Sequence, residues 1–255
     1  VKTLGPAGPL GPPDVAVPEW LEGKWSATYI LQQTAFPLTK DFAQFKQLLA
    51  GSIRSPSDAL GEQTTMTMRW IAGAKGAEED TAANLKSYYN AFPKELTLES
   101  SKGPRSRLVA WMPILTQRGI YEKVNSVTAG DRNNFRMIVK EIAPDLTVVG
   151  TAPLEGVVVN RKGESSADGN AFIITQLYRI KRLSQGKVKM VETGTGDTEV
   201  VTAYIKKGDN EIVGKHRVLV YLVPFAGPAG DKYADSDGGA VAIYDYSLTM
   251  KREQE

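Results

Sequence analysis

The sequence contains no cysteine and a single histidine, His216. Without cysteine the chain can form no disulfide, thiol nucleophile or cysteine metal site. One histidine gives little support for a Ser-His-Asp triad, and a zinc site usually needs more than one imidazole or thiolate. Because Lys215 and Arg217 flank it, we predict that His216 lies at the surface or at a strand edge. These absences predict that the protein is not an enzyme.

Long apolar runs, strong charge and phosphate-binding glycine motifs are also missing. The longest apolar run lies around Val218 to Phe225, far short of the ~20 residues that a membrane-spanning helix needs. The net charge is only +2, whereas nucleic-acid-binding proteins usually concentrate Lys and Arg on one face. No P-loop or dinucleotide-binding glycine motif occurs between a strand and a helix. We therefore predict no transmembrane span and no nucleic acid partner.

Proline and glycine dominate the first 17 residues. Pro6, Pro9, Pro12 and Pro13 are interleaved with glycines, and proline is excluded from helix interiors and central strands. We predict an extended arm over residues 1–17, followed by a single domain over residues 18–255. The arm is either a disordered leader or a segment that orders on a partner, in which case these four prolines contact that partner.

Period-two alternation of apolar residues predicts β-strands through most of the domain. The odd positions of 25–31 are apolar, and so are the even positions of 66–70 and of 242–250. Segments 135–139 and 172–178 are apolar on both faces. These segments are rich in β-branched and aromatic residues, which suit a pleated surface.

Turn residues separate the predicted strands, so that the chain from Thr147 onward is expected to form an antiparallel meander. The turns are predicted at Gly163, 168–169, 194–197, 208–210 and 237–239. Helical spacing instead predicts two short helices, from Asp41 to Leu49 and from Asp80 to Phe92. A single antiparallel sheet of about eight or more strands hides its edges by closing. We therefore predict a mainly β fold, an antiparallel barrel with two short inserted helices, with a β-sandwich as the alternative.

Two carboxylate clusters are candidates for chemistry. Glu78, Glu79 and Asp80 precede the second predicted helix, where negative charge favours the helix dipole, and an acid–base role is the alternative. Aspartates 231, 235 and 237 lie in a glycine-rich loop that lacks the EF-hand order and its closing glutamate. We predict no metal site.

Large aromatic side chains fall mostly on or beside the predicted strands. They either fill the core, because rings bury extensive area, or surround an apolar cavity that has a few polar contacts. In the second case the cavity would hold a pigment, lipid or quinone-like molecule, and no other cofactor is predicted. The candidate ligand-binding residues are Trp25, Tyr29, Arg69, Trp70, Tyr178, Tyr204 and Tyr244.

Residues 18–25, Pro-Glu-Trp-Leu-Glu-Gly-Lys-Trp, place a Gly-x-Trp motif at the start of the first predicted strand. The motif resembles the opening of lipocalin-like (calycin) barrels, in which the tryptophan plugs one end of the barrel. The resemblance implies a lipocalin-like barrel with Trp25 as its plug.

Further segments resemble a family of proteins of unknown function from cyanobacteria and from algal and plant chloroplasts. The resemblance covers about residues 18–252 and is carried by residues 18–25, 36–38, 80–85, 159–162, 199–204 and 241–248. Many members are predicted to reside in the thylakoid lumen. The resemblance therefore implies a chloroplast thylakoid-lumen protein, and Val1 in place of methionine agrees with a cleaved transit peptide.

Three functions follow as hypotheses. The first is a non-catalytic accessory protein that docks on a photosynthetic membrane complex, such as a photosystem, as a peripheral subunit or assembly factor. Its membrane association would then be peripheral and through that partner. The second is a lipocalin-like carrier of a small apolar ligand, a pigment or a lipid. The third is a pigment-modifying enzyme that uses carboxylates as acid and base.

Overall fold

In a computed structural model the chain folds as a mainly β protein, as the alternation predicts. The structure describes residues 12–38, 60–61, 63–91, 96–98, 106–108, 121–129, 133–142, 148–185, 190–223 and 233–254. Within these ranges ten strands form one continuous sheet, and two further short strands pair with each other. The continuous sheet differs from the two packed sheets of a β-sandwich.

The helices and strands have the following bounds. A 3-10 turn (Glu19–Leu21) leads into β1 (Gly23–Ala35), and β2 (Gln63–Gly73) and β3 (Gly76–Glu79) precede helix α1 (Thr81–Ala91). The short β4 (Leu96–Leu98) and β5 (Ser106–Leu108) follow. The remaining strands are β6 (Tyr121–Ala129), β7 (Asn134–Ile142), β8 (Val148–Ser165), β9 (Ala171–Gln185), β10 (Met190–Lys206), β11 (Glu211–Tyr221) and β12 (Ala240–Arg252).

The ten-stranded sheet has the order β3-β2-β1-β12-β11-β10-β9-β8-β7-β6 and is antiparallel throughout. Strands β8 to β12 are neighbours in chain order, which confirms the meander predicted from Thr147. The last strand, β12, returns to pair with β1. The sheet curls into a lipocalin-like half-barrel with β3 and β6 at its edges, and α1 packs against both β2 and β6.

The core lies where the alternation places it. On β1 the side chains of Trp25, Ala27, Tyr29 and Leu31 are buried, and on β12 the alternate residues of 242–250 are buried opposite them. Burial of each large apolar side chain contributes about 1.5–3 kcal/mol. These two paired strands therefore contribute a large part of the hydrophobic core.

One end of the half-barrel is closed around Trp25, as the Gly-x-Trp resemblance implies. The Trp25 indole donates to the Leu21 carbonyl at 2.7 Å, and both side chains are fully buried. The Arg252 guanidinium lies 4.3 Å from the centre of the Trp25 ring. Trp20 of the 3-10 turn donates from Nε1 to the carbonyl of Gly169, in the turn between β8 and β9. The turn, β1, β12 and the β8–β9 connection thus meet at this end.

The described part of the arm lies against the domain. Val17 forms a bridge with Ala77 of β3 and is itself buried. Gly163 of β8 lies so close to Val15 that a Cβ atom there would overlap the valine side chain. The first 11 residues, including Pro6 and Pro9, lie outside the described residues, whereas Pro12 is half-buried and Pro13 is exposed.

The predicted helix from Asp80 to Phe92 is confirmed as α1, and the one from Asp41 to Leu49 lies outside the described residues. Turns at 168–169, 208–210 and 237–239 are confirmed. The predictions at Gly163 and at 194–197 are wrong, because these residues lie inside β8 and β10. In β10 the glycines follow a register shift between Glu192 and Gly194 against β9. Glycine marks a bulge or a close backbone approach at these places.

Candidate ligand-binding cavity

A cavity of about 90 Å³ lies inside the half-barrel, between its inward-facing side chains and α1. It is lined by Tyr29, Met66, Met68, Trp70, Glu79, Asn84, Leu85, Phe135, Gln176, Tyr178, Ile180, Thr198, Val200, Thr202, Tyr204 and His216. Seven strands and the helix contribute these residues. The walls are therefore built on regular hydrogen-bonded elements, which hold side chains in fixed positions.

Strand β10 runs along the whole length of the cavity. Its alternate residues Thr198, Val200, Thr202 and Tyr204 all line the space, and six residues of strand span about 20 Å. Tyr204 pairs with Phe172, close to the β8–β9 turn that binds Trp20. The Tyr204 end is thus the closed end, and Thr198 lies toward the other.

Strand β2 supplies the apolar wall that faces β10. Met66, Met68 and Trp70 alternate inward and are buried. The Trp70 and Tyr204 rings meet edge to face, with 6.2 Å between their centres. Tyr29 donates its hydroxyl hydrogen to Met68 Sδ at 3.2 Å. Aromatic and thioether groups thus surround the closed half of the cavity.

Four polar side chains gather at the closed end: Glu79, Asn84, Gln176 and Tyr204. Asn84 Nδ2 donates to a Glu79 carboxylate oxygen at 3.3 Å. Burial raises the pKa of Glu79 above its ordinary value, although the hydrogen bond from Asn84, the positive charge of Arg161 and the hydrogen bond from Gln176 oppose the shift. Burial and the nearby Glu79 carboxylate raise the pKa of Tyr204 as well. The pKa shift of Glu79 favours its neutral form, so this end presents hydrogen-bonding groups of low charge.

His216 lies in the middle of the cavity, and the prediction of a surface or edge position is wrong. Its side chain is only 5% exposed and its Nδ1 is hydrogen-bonded to Thr202 Oγ1 at 2.9 Å. Burial lowers the pKa of His216 to about 4. His216 is in phase with the buried Val218 and Val220 of β11, and this alternation was the signal that the flanking charges obscured.

One buried polar atom on β2 and one on β10, both in the cavity wall, have no hydrogen-bond partner among the described residues. They are the indole Nε1 of Trp70 and the hydroxyl Oγ1 of Thr198. Both residues are 3% exposed. Buried polar groups in folded proteins are nearly always hydrogen-bonded to protein or to another molecule. These two atoms are therefore the places where a molecule inside the cavity would be bound.

Helix α1 is fixed over the cavity by its own polar side chains. Asp80 caps it by accepting the Ala83 N–H at 3.1 Å, which confirms a structural role for this carboxylate. Asn84 accepts the Arg69 N–H at 2.7 Å and donates to the Arg69 carbonyl at 3.1 Å. One turn later, Ser87 accepts the Thr67 N–H at 3.0 Å. The helix thus satisfies backbone groups of β2 where β3 no longer pairs with it.

A smaller cavity of about 40 Å³ adjoins the first at the closed end. The two share Trp70, Glu79 and Gln176. Val15 and Val17 of the arm line the smaller cavity, together with Arg161 of β8. The described part of the arm therefore contributes to the wall behind the ligand cavity.

The seven candidate residues separate into three groups. Tyr29, Trp70, Tyr178 and Tyr204 line the cavity. Trp25 and Tyr244 are buried in the core and do not line it: Trp25 closes the end, and Tyr244 packs edge to face on Phe36. The prediction that Arg69 contacts the ligand is wrong, because alternation along β2 turns its side chain away from the side of Met68 and Trp70. Its side chain is 58% exposed and pairs with Asp80 at 3.6 Å.

Several cavity residues were not predicted. Met66 and Met68 belonged to a recognised strand, yet their alternation does not distinguish a cavity wall from a solid core. Gln176, Thr198 and Thr202 are polar residues on strands that cross the interior, and the pairing of those strands was needed to place them. Glu79 was considered for its charge at a helix start, and its position beside Trp70 follows from the β2–β3 register.

Within the described part of the chain, no group of three or more His, Asp or Glu residues could hold a metal ion. Of the three loop aspartates, Asp235 and Asp237 are exposed, and position 231 lies outside the described ranges.

No protein-family model, curated protein or solved structure matches this chain. Among the described residues, no helix has the length and apolar character needed to cross a bilayer. The cavity is therefore the feature of this protein from which a function can be inferred.

Proposed function

We propose that this protein binds a small, largely apolar molecule in the interior cavity and carries it without chemical change. The observation that carries the proposal is the cavity itself, in which the buried Trp70 Nε1 and Thr198 Oγ1 lack partners within the described structure. Ligand sites commonly combine mainly apolar walls with a few polar groups that fix orientation. The half-barrel provides this combination on rigid strands.

The dimensions of the cavity restrict the ligand. Its volume of about 90 Å³ is smaller than the ~150 Å³ cavity that holds benzene in an engineered protein. Its lining on β10 extends from Thr198 to Tyr204, whose Cα atoms lie about 20 Å apart in an extended strand. A small space with this lining suits a short aliphatic chain better than a broad ring system. Within the class of pigments and lipids, the cavity thus favours a lipid-like chain, and Met66 and Met68 allow some adjustment to its shape.

The polar groups of the cavity support binding better than catalysis. Burial holds His216 neutral above its lowered pKa of about 4, and Thr202 fixes its ring through Nδ1. Glu79 is hydrogen-bonded by Asn84, and its raised pKa favours the neutral acid. Groups that are neutral and already oriented by neighbours can line a binding site without reacting with its ligand.

A titration with pentanol, followed by calorimetry, tests the proposal. Val200 lies in the middle of the β10 wall, so Val200→Phe should fill the channel and weaken binding at least about tenfold. Ile205→Phe adds the same ring at an exposed position of the same strand and should bind like the wild type. Equal affinity of all three proteins, or no binding by any of them, would contradict the proposal.

The resemblance to lumenal proteins leads us to propose a second function, docking on a photosynthetic complex in the thylakoid lumen. One observation favours it. Ile173 and Ile205 are 49% and 43% exposed, and they are diagonal neighbours on paired strands, since Ala203 pairs with Ile173 and Ala171 with Ile205. Two adjacent exposed isoleucines are a small patch that a partner could cover.

Native gel electrophoresis of gently solubilised thylakoids, with mass spectrometry, tests this second function. Co-migration with a photosystem should be lost in Ile173→Lys/Ile205→Lys and reduced when residues 1–11 are removed. The deletion stops before Val15 and Val17, because these residues pack against the domain. Migration of the wild-type chain alone would leave the carrier function as the better account.

A further inference from the structure

The indole of Trp70 stands at the closed end of the cavity, in the wall shared with the smaller cavity. Its side chain is buried and its Nε1 has no hydrogen-bond partner in the described structure. An indole N–H can only donate. The group that satisfies it must therefore be an acceptor, such as a carbonyl, ether or hydroxyl oxygen.

The charges around Trp70 select against ionic ligands. Among the described residues that line the cavity there is no Lys or Arg, and Glu79 is the one carboxylic acid. A carboxylate placed here would lose its hydration, and the nearby cation, Arg161 of the smaller cavity, already interacts with Glu79. An ammonium group would have little fixed counter-charge, because burial favours the neutral form of Glu79 and Asn84 already donates to it.

We infer that the cavity takes an uncharged, chain-like molecule that carries a hydrogen-bond acceptor at the end that reaches Trp70. This inference rests on the proposed function and specifies the chemical class of its ligand: a ketone, ester, ether or alcohol of an aliphatic chain. Fatty acid anions and long-chain amines are excluded. Trp70 is then the residue that determines specificity for the head group.

Four probes of matched chain length test the inference by calorimetry: methyl propyl ketone, pentane, pentanoate and pentylamine. The ketone should bind most tightly, and pentanoate and pentylamine at least about tenfold more weakly. Trp70→Phe removes the N–H and keeps an aromatic ring, so its ketone affinity should fall about three- to tenfold, the value of one neutral hydrogen bond. Pentane should bind the variant and the wild type equally. Ile205→Val, at an exposed position of β10 outside the cavity lining, should leave the ketone preference unchanged.

A second measurement in the wild-type protein covers the case in which Trp70→Phe fails to fold. The Nε1–H signal of Trp70 in a nitrogen–proton correlation spectrum should move downfield with the ketone, and much less with pentane. Equal shifts, an unchanged ketone affinity in Trp70→Phe, or tight binding of pentanoate would overturn the inference and leave the proposed carrier standing. The first two of these results would mean that a buried water satisfies the indole. Failure of all four probes to bind would overturn the carrier function and this inference together.

Discussion

Arg252 stacks on Trp25, with 4.3 Å between the guanidinium carbon and the centre of the ring, and so joins the last strand to the first. The same guanidinium donates to the carbonyls of Glu22 at 2.6 Å, Trp20 at 3.3 Å and Asp209 at 2.9 Å. It also fills the space beside Gly23, whose φ of 119° lies in the region that favours glycine. One side chain thus fastens the closed end of the half-barrel.

Arg252→Lys should lower the free energy of unfolding by about 1–2 kcal/mol. Lysine keeps the charge but loses the planar fork that stacks on Trp25 and reaches three carbonyls. Denaturant unfolding measures the change. Lys251→Arg, at the exposed neighbouring position, is the control and should change stability by less than about 0.5 kcal/mol. Equal effects of the two substitutions would show that the stack does not fasten this end.

Two threonines on β10 should respond to the same substitution in opposite ways. Thr202 is hydrogen-bonded to His216, whereas the Thr198 hydroxyl has no partner among the described residues, and both are equally buried. Thr202→Val should cost about 1–3 kcal/mol, and Thr198→Val should be neutral or stabilising by up to about 1 kcal/mol. Thermal and denaturant unfolding of the unliganded protein measure both. A comparable loss in Thr198→Val would mean that this hydroxyl is satisfied by a bound molecule.

Acid should destabilise the protein through His216. Its pKa is about 4 in the folded protein and 6.5 when unperturbed, so the unfolded chain takes up the proton first as the pH falls. Stability is therefore fully present above pH 6.5, declines between pH 6.5 and 4, and loses about 3 kcal/mol over that range. Unfolding measured against pH should show this decline in the wild type. His216→Phe should be less stable at pH 7 and should lack this loss of stability in acid. The same pH profile in the variant and the wild type would contradict the attribution of the loss to His216.

Glu79 should stabilise the folded protein as the pH falls, whereas His216 destabilises it. Its pKa is raised in the folded protein, so its contribution to stability is present below the unfolded value of 4.5 and is lost as the pH rises through the folded value. Glu79→Gln removes this contribution and should make the acid decline from His216 steeper than in the wild type. The same unfolding series against pH measures it, and an unaltered slope in Glu79→Gln would show that Glu79 is not perturbed.

The attachment of helix α1 to β2 should depend on the side-chain amide of Asn84. Its amide satisfies both the N–H and the carbonyl of Arg69, so Asn84→Ala leaves two backbone groups of β2 without these bonds. The expected cost is about 2–3 kcal/mol, with faster hydrogen exchange at the Arg69 amide. Lys86→Ala, on the exposed side of α1, is the matched control and should change neither quantity appreciably.

Alternation of apolar and polar residues correctly predicted the strands that bury the same face along their whole length. On β1 and β12 the apolar phase is uninterrupted, so the buried set from Trp25 to Leu31 and from Ala242 to Met250 follows from the sequence. The meander followed from turn residues, except where glycine serves close packing inside a strand. Gly163 lies against Val15 and Phe172, and no local pattern separates such a glycine from a turn.

The cavity was harder to predict because it depends on which strands pair. Tyr29, Trp70, Tyr178 and Tyr204 were expected around it, but aromatic residues alone do not distinguish its wall from the core that holds Trp25 and Tyr244. His216 was misplaced because its charged neighbours were given more weight than its phase with Val218 and Val220. Arg69 was also misplaced against its phase, since the alternation on β2 already predicted that its side chain points outward.

The most direct test of the proposed binding site is a crystal structure of the protein soaked with bromopentane, with the bromine located by anomalous scattering. The account predicts one bromine peak inside the half-barrel, between β10 and α1, with the chain along Thr198, Val200 and Thr202. The peak should be absent in Val200→Phe and present in Ile205→Phe. A bromine found only on the outer surface, or an interior without density for the chain, would contradict the central claim that this cavity is a binding site.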